Sequence, residues 1–228
     1  MENIYIIGDV HGCYKTLLAL ISQLPNKEKS KICFVGDLID RGKDSYKVVE
    51  FVKNNNYDCI LGNHEKMALE YLPFFKKDKK NDLLTNWLFC AGGEETIKSY
   101  QKEEYLFEHL NYFKTLPLYF EYHEYKTTDN RKLVVSHSSI GKVWSLRNSE
   151  NSKDKEKFEN HLLYSRYKKF DNEDIFNVYG HTITPNPLIN DYSASIDLGC
   201  YKEGGFITPK LCAFEFPSMR VFIQENIE

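Results

Sequence analysis

Residues 3–12 read NIYIIGDVHG: an apolar run stops on a glycine, and an acid and an imidazole follow at once. The same order returns at 32–42, ICFVGDLIDRG, and at 59–65, CILGNHE. Apolar runs this short, closed by glycine, predict buried strands over 3–7, 32–35 and 59–61. Helical spacing fills the intervals. Leu17, Leu18, Leu20, Ile21 and Leu24 share a face that ends before Pro25, and Val48, Val49 and Val52 share one face of Ser45–Lys53. Stacked βαβ units follow from that order, and the loops leaving neighbouring parallel strands open into one crevice. Asp9, His11, Asp37 and Asn63 are therefore expected to meet there.

Outward from this segment the chain changes character. Residues 66 to 116 read as mostly helical, with Met67, Leu69, Leu72, Leu83, Leu84, Trp87 and Leu88 supplying apolar faces on either side of a basic turn at Lys76–Lys80. Gly92 and Gly93 interrupt that pattern. From Leu118 strands are expected at 119–125, 132–136, 176–179, 194–197, 211–216 and 219–224. Polar, charged Lys142–Lys157 reads as a mobile surface excursion. No repeat or Gly/Ser linker breaks the chain, and 228 residues, 42% of them hydrophobic, favour a single domain spanning 1–228.

Charge and composition exclude several classes. Lys and Arg number 30 against 33 Asp and Glu, a net charge of -3, so no positive field exists to gather nucleic acid. No apolar stretch nears the ~20 residues that span a bilayer. The first residues pass into a strand without an export signal. Six cysteines form no C-x-x-C pair and mostly sit in apolar contexts that suit reduced core thiols, so a cytoplasmic location is expected, with a monomer as the default state.

Two later histidines also close strands, in VVSH at 134–137 and VYGHT at 178–182. Asp9, His11, Asp37, Asn63, His137 and His181 together offer hard oxygen and imidazole donors suited to manganese, iron or zinc, without the thiolates of a structural zinc site. Any one motif alone is most simply a cap, a turn or a core histidine. Five strand ends that each carry a ligand type are better explained by a binuclear metal centre. His109, His123 and His161 stand outside these clusters and read as surface or interface residues without a role. Trp87, Trp144 and Tyr119–Tyr125 read as packing, and GDVHG lacks the G-x-G-x-x-G of a dinucleotide-dependent oxidoreductase.

GDVHG, GDLIDRG and GNHE, in this order and spacing, closely resemble the signature of the phosphoprotein phosphatase family of calcineurin-like metallophosphatases. Trp87 and Leu88 with Gly92 and Gly93, then Ser136 with His137, GHT at 180–182 and IDLG at 196–199, are similar to its compact bacterial and bacteriophage lambda-type branch. The resemblance covers nearly the whole chain. It implies a mixed α/β, four-layer fold, a central β-sandwich flanked by helices. It implies that Asp9 and His11 hold a first metal, that Asp37 bridges both, and that Asn63, His137 and His181 complete the second. His64, hydrogen-bonded to Asp40, would protonate the leaving group, and a metal-bridging hydroxide would attack phosphorus in line. Arg41 and a second arginine would clamp the phosphate. For that second position Arg166, in LYSRY, fits the family's context better than Arg147, in WSLR.

Two departures stand out. Ser138 and Ser139 follow His137 where the family often has a small Ala-Gly or Ala-Asp step, which alters the local turn more than the metal. The chain ends soon after the 211–224 hairpin, without the longer C-terminal region of eukaryotic catalytic subunits, so regulatory subunits of their kind are not expected.

The expected activity is metal-dependent phosphomonoester hydrolysis on a phosphoprotein or phosphopeptide. Phosphoserine and phosphothreonine come first, phosphotyrosine as dual specificity, with two divalent ions, manganese foremost. The alternative is symmetrical bis(5'-nucleosyl)-tetraphosphate hydrolysis by the same core. Asp40 leans toward the protein substrate, because tetraphosphatase relatives often depart from Asp there. A catalytically silent scaffold would have lost His64 or a ligand, and none is lost.

Overall fold

The computed structural model describes residues 3–74, 82–166, 171–202 and 207–228; the basic run Lys76–Lys80 lies outside them. In chain order the strands are β1 (Ile4–Ile7), β2 (Lys31–Phe34), β3 (Asp58–Cys59), β4 (Tyr119–Lys126), β5 (Lys132–Ser136), β6 (Ile175–Tyr179), β7 (Leu188–Ile189), β8 (Ser193–Ser195), β9 (Lys210–Phe216) and β10 (Arg220–Glu225). The α-helices are α1 (Tyr14–Gln23), α2 (Ser45–Asn54), α3 (Asn63–Tyr71), α4 (Asp82–Phe89), α5 (Gly93–Ser99), α6 (Glu103–Phe113) and α7 (Ser152–Tyr164). One sheet has the order β10-β9-β1-β2-β3 and the other β4-β5-β6-β8-β7. Within each, three strands run parallel: β1, β2 and β3 in the first, β5, β6 and β8 in the second.

Alternation along β1 divides its side chains between two cores. Ile4 and Ile6 face the second sheet, joining Cys33, Val35 and Ile60 against Leu133, Val135, Phe176 and Val178. Tyr5 and Ile7 face the helices, with Leu17, Leu20, Val48, Val49 and Trp87. The far side of the second sheet is closed by Trp144, Phe158 and Leu162 over Val134 and Ile175. Helix, sheet, sheet, helix is thus the layer order, the expected β-sandwich flanked by helices. Among the described residues no helix is long and apolar enough to cross a membrane.

Two readings of the sequence need correction. The stretch 142–157 is not a mobile excursion: it holds a 3-10 turn, Gly141–Leu146, and the start of α7. Val143 and Trp144 are buried there, and Phe158 just beyond it, so a few apolar residues on one face dock a segment whose average composition is polar. His109 is fully buried rather than superficial, held between Tyr100 OH at 2.7 Å and Glu50 Oε1 at 2.7 Å. The cysteines follow their mostly apolar contexts: five are buried and Cys90 is exposed.

Glu215, in β9, is an enclosed carboxylate surrounded by donors. Asn3 Nδ2 and Tyr5 OH each donate to it at 2.8 Å and Arg220 Nη2 at 2.7 Å, with Ser218 Oγ and Arg220 Nε also bonded. Burial pushes its carboxyl up, but the bonds from Arg220, Ser218 and Tyr5 outweigh this and hold it at about 2, below the ordinary 4.5. A folded-state value below the unfolded one stabilises above about pH 4.5 and is lost as pH falls toward about 2. Glu215→Gln is therefore expected to destabilise at pH 7 by roughly 1–3 kcal/mol, with the gap between variant and wild type narrowing in melts at pH 3. A pH-independent gap would count against this role.

Candidate active site

The parallel strands deliver the candidate ligands at one end of the sandwich. Asp9 follows β1, Asp37 follows β2, Asn63 opens α3 just beyond β3, and His137 and His181 follow β5 and β6. Backbone bonds lock the loops: Val10 and His11 N–H both donate to Asp37 O, at 3.1 and 2.9 Å, and Gly180 N–H donates to His137 O at 2.9 Å. Approach is too close for side chains at two glycines. A Cβ on Gly180 would lie 1.9 Å from Asp9 Oδ1, and one on Gly62 would lie 2.2 Å from Asp37 Oδ1. His11, Asp37, Asp40, Arg41 and His181 all have left-handed φ, between 48° and 71°. Such clustering of backbone strain is typical of functional loops held by a rigid frame.

Hydrogen bonding fixes where the electron pairs point. His137 Nδ1 lies 2.7 Å from Val35 O, which only accepts, so Nδ1 carries the proton and Nε2 offers a lone pair. That lone pair faces Asn63 Oδ1 at 2.9 Å, His181 Nδ1 at 3.1 Å and Asp37 Oδ2 at 3.5 Å. His11 is set in the same way: Nδ1 donates to Ile39 O at 2.8 Å, and Nε2 faces Asp37 Oδ2 at 3.6 Å. Lone pairs converging on a carboxylate repel one another unless a cation stands among them. Two groups sharing Asp37 have ligand atoms within 4.8 Å of one another, one with His11 and His64 and one with His137 and His181.

The surrounding charge supports the same conclusion. Asp9, Asp37, Glu65 and Asp197 are all buried close together. Burial and the charges of Asp197 and Asp37 push Asp9 well above the usual carboxylate range. Glu65 is pushed up to about 7 by burial and Asp37, and Asp197 to about 7 chiefly by burial. His11 and His181 are held down to about 3, by burial and then by a neighbouring imidazole. Neutral imidazoles beside crowded carboxylates are the protonation states that divalent cations bind. The residues fit a binuclear centre.

Beside the ligands stands a second constellation. His64 Nδ1 donates to Asp40 Oδ2 at 2.6 Å, and Asp40, wholly buried, also accepts from Trp87 Nε1 at 2.7 Å and Thr96 Oγ1 at 2.5 Å. Burial works to lower the His64 pKa, but Asp37 and Asp40 outweigh it and raise the value. Arg41 Nη1 donates to Cys90 O at 2.8 Å, while its buried Nε has no partner among the described residues. Arg166 borders the centre through a 3.3 Å bond from Nη1 to His181 O. Arg147 instead lies over the Trp144 ring at 4.1 Å. His123 is exposed, and His161 is half-buried with Nε2 at 3.0 Å from Ser139 O.

Several contributors escaped the sequence reading. Glu65 accepts from the N–H groups of Asp37 and Leu38 at 2.8 Å, Gly62 at 3.1 Å and Ile39 at 3.3 Å, and so pins the Asp37 loop to α3. Its place at the third position of a helix opened by Gly62 was the available signal. Trp87 and Asp197 lie inside stretches that resemble the family's motifs, but no role is expected of either from the sequence, and Thr96 carries no signal at all.

Residues 2–204 match the family described as Calcineurin-like phosphoesterase. A curated symmetrical bis(5'-nucleosyl)-tetraphosphatase from Salmonella paratyphi B is 31% identical over 149 residues, which is 64% of this chain and 46% of that protein. The chain thus spans about half the length of the curated relatives it matches. A metallophosphoesterase from Sphaerobacter thermophilus superposes with a TM-score of 0.61 at 19% identity, covering 99% of this chain and 88% of that one. A protein serine/threonine phosphatase from Saccharomyces cerevisiae gives 0.59 at 15% identity, covering 100% and 80%. These two likenesses show the common fold.

Proposed function

The chain belongs to the calcineurin-like phosphoesterases, and from that premise we propose that it cleaves dinucleoside tetraphosphates symmetrically into two nucleoside diphosphates. The observation that carries this reading is the 31% identity, over 149 residues, to a symmetrical tetraphosphatase. It outweighs the inference from Asp40 toward a protein substrate, because Asp40 contacts His64, Trp87 and Thr96, and a proton from His64 assists a departing phosphate too, only less than it assists an alkoxide.

Asp9, His11 and Asp37 would hold one divalent ion, and Asp37, Asn63, His137 and His181 the other, with manganese the first choice. Such a pair supplies Lewis acidity toward phosphoryl oxygens and lowers the pKa of an attacking water. Arg41 and Arg166 present planar donors to the equatorial oxygens and orient the phosphorus for in-line displacement. His64 passes the proton on Nε2 to the departing oxygen, while Asp40 accepts from Nδ1–H and fixes the ring.

A second reading, phosphoserine or phosphothreonine hydrolysis, is favoured by that same Asp40–His64 pair, because an alkoxide needs a proton more than a phosphate does. The test is release by chelator-stripped protein with and without Mn²⁺, on diadenosine tetraphosphate and a phosphopeptide in parallel. ADP as the sole, Mn²⁺-dependent product is expected. AMP with ATP would contradict symmetrical cleavage, phosphate from the peptide alone would install the second reading, and inactivity on both would revive the scaffold.

A further inference from the structure

On the Arg41 side of the centre the surface opens into a cleft of about 510 Å³ whose walls include Lys15, Arg41, Lys43 and Tyr201. That volume lies in the range of small-molecule sites, about 300–1,000 Å³, and extends beyond the one phosphoryl group that Arg41 itself would hold. Carboxylates on the same walls are engaged: Asp44 with Lys47 at 2.7 Å, Glu95 with Lys98 at 2.9 Å, and Glu228 with the Thr16 N–H at 2.9 Å. Lys15 and Lys43 are exposed and have no carboxylate within 4.0 Å among the described residues. Together with the unpartnered Arg41 Nε they form an anion-seeking wall next to the centre.

Tyr201 gives this wall an aromatic surface. Its half-buried ring meets the His11 ring edge-on, centroids 4.6 Å apart, and carries the Arg41 guanidinium at 5.2 Å. Asn226 Nδ2 donates to Cys200 O at 2.6 Å and so steadies the turn that presents it. A ring already ordered loses little entropy on stacking with a ligand.

We propose that this cleft holds one nucleoside diphosphate half of the substrate, with Lys15 and Lys43 on its phosphates and Tyr201 against its nucleoside. The assignment rests on the dinucleotide reading above. A nucleoside diphosphate fits better than an acidic peptide, because Asp44 and Glu95, although ion-paired, can still accept hydrogen bonds from ribose hydroxyls or an exocyclic amine, which the carboxylates of such a peptide cannot donate.

The test compares wild type with the double variant Lys15→Gln/Lys43→Gln. Its kcat/KM for diadenosine tetraphosphate, divided by that for p-nitrophenyl phosphate, is expected to fall about 10-fold or more. In calorimetry on the Mn²⁺-loaded protein, the Kd for ADP should rise by a similar factor. Tyr201→Leu should weaken ADP more than pyrophosphate. Unchanged ratio and unchanged ADP affinity overturn the cleft even if wild type cleaves the dinucleotide. ADP binding that depends on Lys15 and Lys43, in a protein that does not cleave the dinucleotide, retains the cleft and removes the reaction. A drop confined to an acidic phosphopeptide overturns the proposal in favour of a peptide groove.

Discussion

Asp37→Asn is expected to lower metal-dependent kcat/KM by about 10³-fold or more and to cut bound Mn²⁺ to one ion per chain or none. Asp37 alone belongs to both ligand groups, and its Oδ2 lies 3.5 Å from His137 Nε2, 3.6 Å from His11 Nε2 and 3.8 Å from His64 Nε2. Asparagine keeps an oxygen where Asp37 Oδ1 accepts the His64 N–H at 3.0 Å. It places an amide N–H toward the His137 lone pair, which satisfies that atom without a cation, and it removes one charge from the crowd of Asp9, Glu65 and Asp197. The metal-free variant should therefore melt at or above the metal-free wild type. Mn²⁺ should raise the wild-type Tm and leave the variant's nearly still. Elemental analysis and paired melts measure all of this, and a variant retaining two ions with more than a tenth of its activity would show that Asp37 is no bridge.

What the sequence made legible was whatever topology alone delivers. Asp9, Asp37 and Asn63 follow glycine-closed parallel strands, and strand ends of one sheet share one crevice regardless of side-chain detail. Glu65 and Thr96 were less accessible, because they act on the loop of Asp37 and Asp40 from other segments, across contacts that no periodicity marks. His109 read as superficial for the same reason: Glu50 comes from α2, and Tyr100 follows α5. Lys142–Lys157 misled because composition averages over faces, whereas docking needs only Val143 and Trp144, with Phe158 just beyond. Asp40 announced a partner for His64 but not a substrate. It touches His64, the proposed proton donor, and selectivity between a peptide and a nucleotide would belong to walls such as those around Lys43 and Tyr201.

His64→Asn separates the two readings because its cost depends on what leaves. A seryl alkoxide departs poorly without a proton, so kcat on a phosphoserine peptide is expected to fall by about 10²-fold or more. ADP departs through a phosphate whose own pKa is about 6, so the loss on diadenosine tetraphosphate should be about 10-fold, and p-nitrophenyl phosphate should resemble the dinucleotide. Metal content should hold if His64, although its Nε2 lies 3.8 Å from Asp37 Oδ2, serves the proton rather than the cation, since Asp9, His11, Asp37, Asn63, His137 and His181 stay in place and it is the His64 backbone that bonds Asp37. The fold should hold as well, because Asp40 keeps Trp87 Nε1 and Thr96 Oγ1 as donors. The pH profile gives an independent check. The bond to Asp40 favours the charged imidazole even where cations neutralise Asp37, so wild-type activity on the alkyl ester should decline as pH rises through the His64 pKa. In His64→Asn this alkaline decline should flatten for the peptide, whereas the dinucleotide profile should barely change. Equal losses on all three substrates would mean that His64 contributes to binding or positioning rather than to protonating the leaving oxygen.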